Sequence, residues 1–199
     1  MPALLTWWTL DVELLAPGAH SDAVAAIGTD LRRRLREEHR RYHTDQHVVE
    51  MFLARVAACF HDAVYDPAAP PGANEADSAE LAVRDLRALG VRDDDVAAVR
   101  QLVLATERHD APGARGLGAA FHDADLWILS APPERFDEYC AQVRAEYAAV
   151  PDDAFAAGRT AVLQPFLRRD TVYATRHARR AWNDRARLNL ARELSRLSG

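Results

Sequence analysis

The sequence contains no lysine, so all 25 of its Lys and Arg residues are arginines. Aspartate and glutamate outnumber them at 30, and the formal net charge is −5. A protein that binds nucleic acid through its phosphates needs a basic surface that displaces counterions. The charge balance therefore argues against bulk nucleic-acid binding, although it leaves a nucleotide open as a substrate.

Cysteine is scarce as well, with only Cys59 and Cys140, and both lie in apolar helical patterns. We interpret them as free buried thiols, because two such cysteines do not make a disulfide framework. No uncharged run approaches the roughly 20 residues that a membrane-spanning helix needs. The N-terminal stretch carries Asp11 and Glu13 and lacks the basic start of a signal peptide. We expect a cytoplasmic protein without a membrane partner.

Alanine, leucine and arginine, which helices tolerate well, are abundant instead. Apolar residues recur with helical spacing, and Pro- and Gly-rich segments at 67–74 and 111–118 predict loops. The sequence predicts an all-α, single-domain helical bundle over 1–199, with a core at about 20–150 and C-terminal helices 151–197 packed on it. The predicted helices, with Pro165 as an expected kink or stop, are 4–15, 21–40, 44–65, 75–89, 94–108, a short one reaching 129, 133–149, 151–169 and 175–197.

Three short segments concentrate histidine and aspartate: YHTDQH at 42–47, FHDAVYD at 60–66 and FHDAD at 121–125. His43 and His47 are four residues apart, so they share a face if the segment is helical. His61 and Asp62 end an apolar run, and burying a charged pair there is costly unless a metal compensates it. The same reasoning applies to the aspartates of the third segment, which precede an apolar stretch.

Imidazole and carboxylate ligands together suit Mn, Fe, Co, Ni or Zn. Without thiolates, a site with open positions is favoured over a structural zinc site. Each segment alone also has an ordinary explanation, since a helical histidine pair commonly lies on the surface and an aspartate before a helix commonly caps it. The combination of all three in one chain is what favours a divalent transition-metal site.

This combination resembles the HD superfamily of metal-dependent phosphohydrolases. The residues that carry the resemblance are His47, His61-Asp62 and Asp125, in the order H…HD…D, and it covers roughly residues 5–195. It implies an all-α fold of the HD type in which these four residues bind the metal. The YHTDQH segment is also similar to the HNxxH element of cyclic-nucleotide phosphodiesterases, which implies that His43 is the general acid.

The remaining site predictions concern nearby polar residues. His109 either contacts substrate or a second metal, or interacts with a helix end. Asp123 can replace or assist Asp125 as a ligand. Of the two His-Asp dipeptides, we prefer His61-Asp62 over His122-Asp123 as the metal-binding pair, because only the first follows an apolar helical run. The predicted catalytic residues are His43, Asp66 and Glu75; the predicted substrate-binding residues are His109, Arg41 and Asn74; the predicted metal ligands are His47, His61, Asp62 and Asp125.

The chain departs from the family pattern in two ways. Many HD enzymes carry a lysine after the HD pair that binds phosphate, and here an arginine or a backbone amide must serve instead. Second, His47 and His61 are fourteen residues apart, which on one continuous helix amounts to about 21 Å. A shared metal therefore requires either a helix break near residues 52–55 or a stretch that is missing from the sequence.

The leading functional hypothesis is hydrolysis of a small phosphate ester or a nucleotide by metal-activated water. The alternatives are a metal- or nucleotide-binding regulatory module without turnover, a helical interaction protein, and a di-iron oxygenase of the same fold. The Trp7-Trp8 pair and the amphipathic last helix either pack internally or form a homodimer. A small phosphate compound is the expected binding partner.

Overall fold

A computed structural model describes residues 2–38, 45–109 and 115–199, apart from the side chains at 2–4, 11, 14, 15 and 45–51. These residues form ten α-helices and one 3-10 helix, and no strand occurs among them, so the predicted all-α class is confirmed. The helices are α1 Pro2–Leu15, α2 Ser21–Arg34, α3 Asp45–Phe60, α4 Ala73–Ala88, α5 Asp93–Leu104, α6 Gly116–Asp125, the 3-10 helix Leu126–Ser130, α7 Pro133–Glu146, α8 Asp152–Arg168, α9 Arg176–Ala181 and α10 Asn183–Leu197.

The chain divides into two compact units, Met1–Leu53 and Ala54–Gly199. The single domain over 1–199 stays a prediction. Among the described helices, none combines the length and the apolar character that crossing a membrane requires.

The first unit contains the antiparallel pair α1 and α2, which contact each other closely at Gly28. A Cβ atom at this position would lie 2.5 Å from the Trp8 ring, so only glycine allows this approach. The indole Nε1 of Trp8 donates a hydrogen bond to the carbonyl of Val24 at 2.8 Å. The small residue in α2 therefore determines how the two helices pack.

The second unit begins with the end of α3 and the hairpin of α4 and α5. The small side chains of Ala79 and Ala82 are buried on α4, and Val99 and Val103 are buried on α5. Between the helices, Gly90 has a φ of 75°, a left-handed conformation that glycine adopts without strain. Its backbone N–H donates to the carbonyl of Arg87, so this glycine forms the C-terminal cap of α4.

The main core of the second unit lies between the 3-10 helix and α7 to α10. Its largest buried side chains include Phe136, Leu163, Tyr173 and Leu190. Buried Asn189 donates hydrogen bonds to the carbonyls of Leu129 and Ala131, which fixes the end of the 3-10 helix. Because this helix directly follows Asp125, the core also fixes the position of that carboxylate.

Helix α3 runs without interruption from Asp45 to Phe60, so the predicted break near residues 52–55 is wrong. Those residues include no glycine or proline, and nothing in them opposes a continuous helix. The consequence for the predicted metal ligands is considered with the site below.

Three other predicted boundaries also differ. The final predicted helix, 175–197, is interrupted at Trp182, whose φ of −120° is not helical and whose ring packs against Tyr173. Helix α8 continues through Pro165 to Arg168, so the proline does not stop it. Helix α6 begins at Gly116, inside the predicted loop 111–118.

Candidate functional site

The second unit brings three of the predicted metal ligands together. His61 extends the last turn of α3, where its backbone N–H donates to the carbonyl of Ala57 at 2.9 Å. The Nε2 atom of its ring lies 3.2 Å from Oδ2 of Asp62 and 3.3 Å from Oδ1 of Asp125. The Nδ1 atom lies 3.0 Å from the carbonyl oxygen of Ala58. Asp62 and Asp125, which are 63 positions apart in sequence, thus share one imidazole edge.

This arrangement favours the charged form of the imidazole. Hydrogen bonds to Asp125 and then to Asp62 raise the pKa of His61 to about 10, against the opposing effect of burial. The same contact lowers the pKa of Asp62 below its ordinary value. Both ring nitrogens of His61 face acceptor oxygens, so a hydrogen on each nitrogen satisfies the whole arrangement.

His109 lies on the other side of Asp125, with its Nδ1 atom 3.6 Å from Oδ2 of that carboxylate. Burial lowers its pKa below the ordinary value, which keeps the ring neutral near pH 7. Its backbone has a φ of 42°, which is uncommon for a residue other than glycine. Its carbonyl oxygen lies 3.0 Å from Nε2 of His122 and accepts a hydrogen bond from Arg169 at 2.6 Å, and these contacts hold the unusual conformation.

The second His-Asp dipeptide, His122-Asp123, is buried and bound to the backbone. The carboxylate of Asp123 accepts hydrogen bonds from the N–H groups of Ala174 and Thr175, both at 2.7 Å. It also lies 3.1 Å from Nδ1 of His122. This aspartate therefore fastens the segment that leads into α9, whereas Asp125 faces a pocket.

The pocket has a volume of about 290 Å³ and lies wholly within the second unit. One part of its wall is polar and includes the predicted site residues His61, Asp62, His109, Asp125 and Glu75. The rest of the wall is lined by Thr106, Leu126, Ile128, Leu129, Tyr139, Arg159, Val162, Leu163 and Phe166.

Two predicted site residues take part in a loop instead of lining the pocket. Asn74 accepts a hydrogen bond from the N–H of Asp66 at 2.9 Å and donates one to its carbonyl at 3.1 Å. The side chain of Asp66 accepts from the N–H of Ala68 at 2.8 Å. These contacts fasten the turn between α3 and α4, and the predicted roles of both residues in catalysis and binding stay predictions.

Three more predicted residues lie outside the description. His43 and Arg41 fall in the undescribed stretch 39–44, and His47 lies in α3 but its side chain is not among those described. His47 belongs to the first unit, whereas His61 belongs to the second. The role of His47 as a metal ligand stays a prediction.

The donor types suit a divalent transition metal, since one imidazole and two carboxylates face one another. Among the side chains that the structure describes, however, no group of three or more His, Cys, Asp and Glu residues closes around a point that could hold a metal ion. A proton on Nε2 of His61 holds the two carboxylates in the described arrangement. The chemistry of the donor set therefore fits the expected ion, and the described geometry is that of an ionic cluster.

The sequence prediction missed other residues that line the pocket, above all Arg159 and Tyr139. A signal for Arg159 was present, because it lies on α8 at helical spacing from Phe155, Leu163 and Phe166. A charged residue within an apolar stripe is expected to have a specific partner or role.

No family model matches the chain, and neither a curated protein nor a solved structure is significantly similar to it. Its function is therefore argued from the pocket and the residues that line it.

Proposed function

We propose that this protein is a metal-dependent phosphohydrolase of the HD type that acts on a small phosphate ester. The observation that carries the proposal is the approach of Asp62 and Asp125 to Nε2 of His61, at 3.2 and 3.3 Å, in the wall of a pocket. These residues are also the HD…D part of the motif that the sequence shares with such enzymes.

The spacing of the donor atoms supports a shared ion. Ligand atoms about 2.1 Å from one ion lie roughly 3.0–3.4 Å from each other in octahedral or tetrahedral geometry. The distances from His61 to the two carboxylates fall in this range. The Ala58 carbonyl, 3.0 Å from Nδ1, would hold the hydrogen on that nitrogen and leave Nε2 as the ligand, which is how metal-binding histidines are commonly oriented.

The proposed roles follow from the positions of the side chains. His61, Asp62 and Asp125 would hold the cation, which supplies a lowered pKa for water and a charge that polarises a phosphoryl oxygen. Glu75 lines the same pocket and can accept a proton from the attacking water. The neutral ring of His109 can donate a hydrogen bond to the substrate.

The test is a measurement of metal content and hydrolysis on protein that is purified without chelator. We expect a bound transition metal and cleavage of at least one compound in a panel of phosphomonoesters, phosphodiesters and nucleotides. The variant His61→Ala should lose metal and activity by about 100-fold or more, whereas His20→Ala, an exposed histidine in the first unit, should keep both.

The proposal fails if metal-loaded protein cleaves nothing in the panel and His61→Ala behaves like the unmodified chain. Tight binding of a nucleotide without cleavage would instead favour a regulatory module.

A further inference from the structure

Arg159 projects from α8 into the wall of the pocket that contains His61 and Asp125. Among the described residues that line this pocket it is the only arginine, and the chain has no lysine. It therefore supplies the permanent positive charge of the described pocket wall, which also contains the carboxylates of Asp62, Glu75 and Asp125.

The guanidinium of Arg159 is held in place by Tyr139. Its Nη2 atom donates a hydrogen bond to the Tyr139 hydroxyl at 2.8 Å, and its Cζ atom lies 5.1 Å from the centre of the tyrosine ring. A guanidinium has five N–H donors, and this contact uses one of them. The remaining donors are available to a ligand in the pocket.

Two arginines on neighbouring helices are instead paired with carboxylates. Arg144 pairs with Asp152 at 2.6 Å, and Arg192 pairs with Asp137 at 2.6 Å. Within the described part of the second unit, no carboxylate forms an ion pair with Arg159. A half-buried cation without a carboxylate partner is costly unless it meets an anion in its functional state.

We propose that Arg159, oriented by Tyr139, binds a phosphoryl oxygen of a phosphomonoester whose organic part is small and largely apolar. The inference rests on the proposed function, because it names the substrate class of that site. Guanidinium groups match phosphate with paired hydrogen bonds. A volume of about 290 Å³ lies at the lower end of the range for small-molecule sites, and the side chains of Leu129, Leu163 and Phe166 provide an apolar wall.

The first test is calorimetric titration of the full chain with inorganic phosphate, both depleted of metal and loaded with Mn²⁺. Arg159→Gln should weaken phosphate binding by about 10- to 100-fold, the cost of losing a hydrogen bond to a charged group. Arg159→Lys should recover part of the affinity, because it keeps the charge. The matched control, Arg180→Gln, removes an exposed arginine outside this pocket and should change nothing.

The possible outcomes separate this inference from the proposed function. If Mn²⁺ does not bind or no ester is cleaved, but Arg159→Gln still weakens phosphate binding, Arg159 remains the anion site and the hydrolase proposal fails. If esters are cleaved but Arg159→Gln leaves both KM and phosphate affinity unchanged, the hydrolase proposal stands and this inference fails. Failure of the unmodified chain to bind phosphate in either state also overturns the inference.

Two further measurements test the role of Tyr139 and the apolar wall. Tyr139→Phe keeps the ring beneath the guanidinium but removes the hydroxyl, so phosphate affinity should fall by less than in Arg159→Gln. Metal-depleted protein should bind phenyl phosphate more tightly than inorganic phosphate, because the phenyl ring buries apolar surface. Equal or weaker binding of phenyl phosphate overturns the assigned substrate class.

Discussion

The chain contains the dipeptide His-Asp at 61–62 and again at 122–123, and the two copies differ in what surrounds the carboxylate. The side chain of Asp123 is 3% exposed and accepts hydrogen bonds from two backbone N–H groups. The side chain of Asp62 is 71% exposed and faces one imidazole nitrogen. The same dipeptide sequence therefore holds a backbone segment in place at 122–123 and lines a pocket at 61–62.

The number of fixed hydrogen-bond donors around a carboxylate determines whether its oxygens remain free to bind a ligand. Asp123 has fixed donors on both oxygens, so it is satisfied by the fold itself. Asp62 and Asp125 share the Nε2 atom of His61, which leaves carboxylate oxygens for a ligand. A functional role is therefore expected at the first dipeptide and a structural one at the second.

The largest expected effect is on stability, from Asp123→Ala. This change leaves the buried N–H groups of Ala174 and Thr175 without acceptors, and it should lower the free energy of unfolding by about 3–5 kcal/mol. Urea unfolding followed by circular dichroism measures the change. The matched variant Asp62→Ala should cost less than about 1 kcal/mol, because its carboxylate is largely exposed. Equal losses in the two variants would contradict the comparison.

The next largest effect is on metal affinity, from Asp125→Ala. Removing a carboxylate from the proposed ligand set should weaken Mn²⁺ or Zn²⁺ binding by about 100-fold. Mutating a residue that only supports a metal ligand weakens metal binding by roughly 10- to 100-fold, so the loss of a ligand itself should lie at or beyond the upper end of that range. Competition against a coloured chelator measures the affinity. Val24→Ala, a change of a buried residue in the first unit, controls for general destabilisation. If Asp125→Ala binds the ion as tightly as the unmodified chain, Asp125 is not a ligand.

The helical class could be predicted from the sequence because periodicity and Pro/Gly punctuation are local signals. The loop 67–74 and the cap at Gly90 follow from such signals. The interruption at Trp182 could not be predicted in this way. It depends on the contact of the Trp182 ring with Tyr173 and on the hydrogen bond that Val172 N–H donates to Asn183, about ten residues later in the chain. Tertiary packing overrides a continuous helical pattern there.

For the site, the preference for His61-Asp62 over His122-Asp123 rested on the preceding apolar run, and the structure does place His61, Asp62 and Asp125 together. Arg159 was missed although it lies at helical spacing from apolar residues of α8, because that spacing does not show that this face of α8 lines the pocket. The backbone role of Asn74 was missed for the same reason, since its partner is the main chain of Asp66.

A smaller effect, on pH dependence, tests the ionic cluster at the first dipeptide. The pKa of His61 is raised from 6.5 to about 10, so its charged form stabilises the folded state fully below pH 6.5, and this contribution is lost as the pH rises towards 10. In chelator-treated protein, His61→Gln should therefore cost about 1–2 kcal/mol at pH 6 and almost nothing above pH 10. Thermal unfolding at several pH values measures the difference, and a constant difference across this range would rule out the charged imidazole.

The smallest expected effect comes from substitutions of His109. The carbonyl of this residue lies 3.0 Å from Nε2 of His122, and its ring faces Asp125. Its φ of 42° suits asparagine better than a β-branched residue. His109→Asn should therefore leave the free energy of unfolding nearly unchanged, whereas His109→Val should lower it by about 1 kcal/mol more. Both variants remove the imidazole, so phosphate-ester hydrolysis should fall equally in both. If His109→Val is as stable as His109→Asn, the contact with the buried dipeptide does not hold the backbone of His109 at its positive φ. The proposed connection between this dipeptide and the pocket is then wrong.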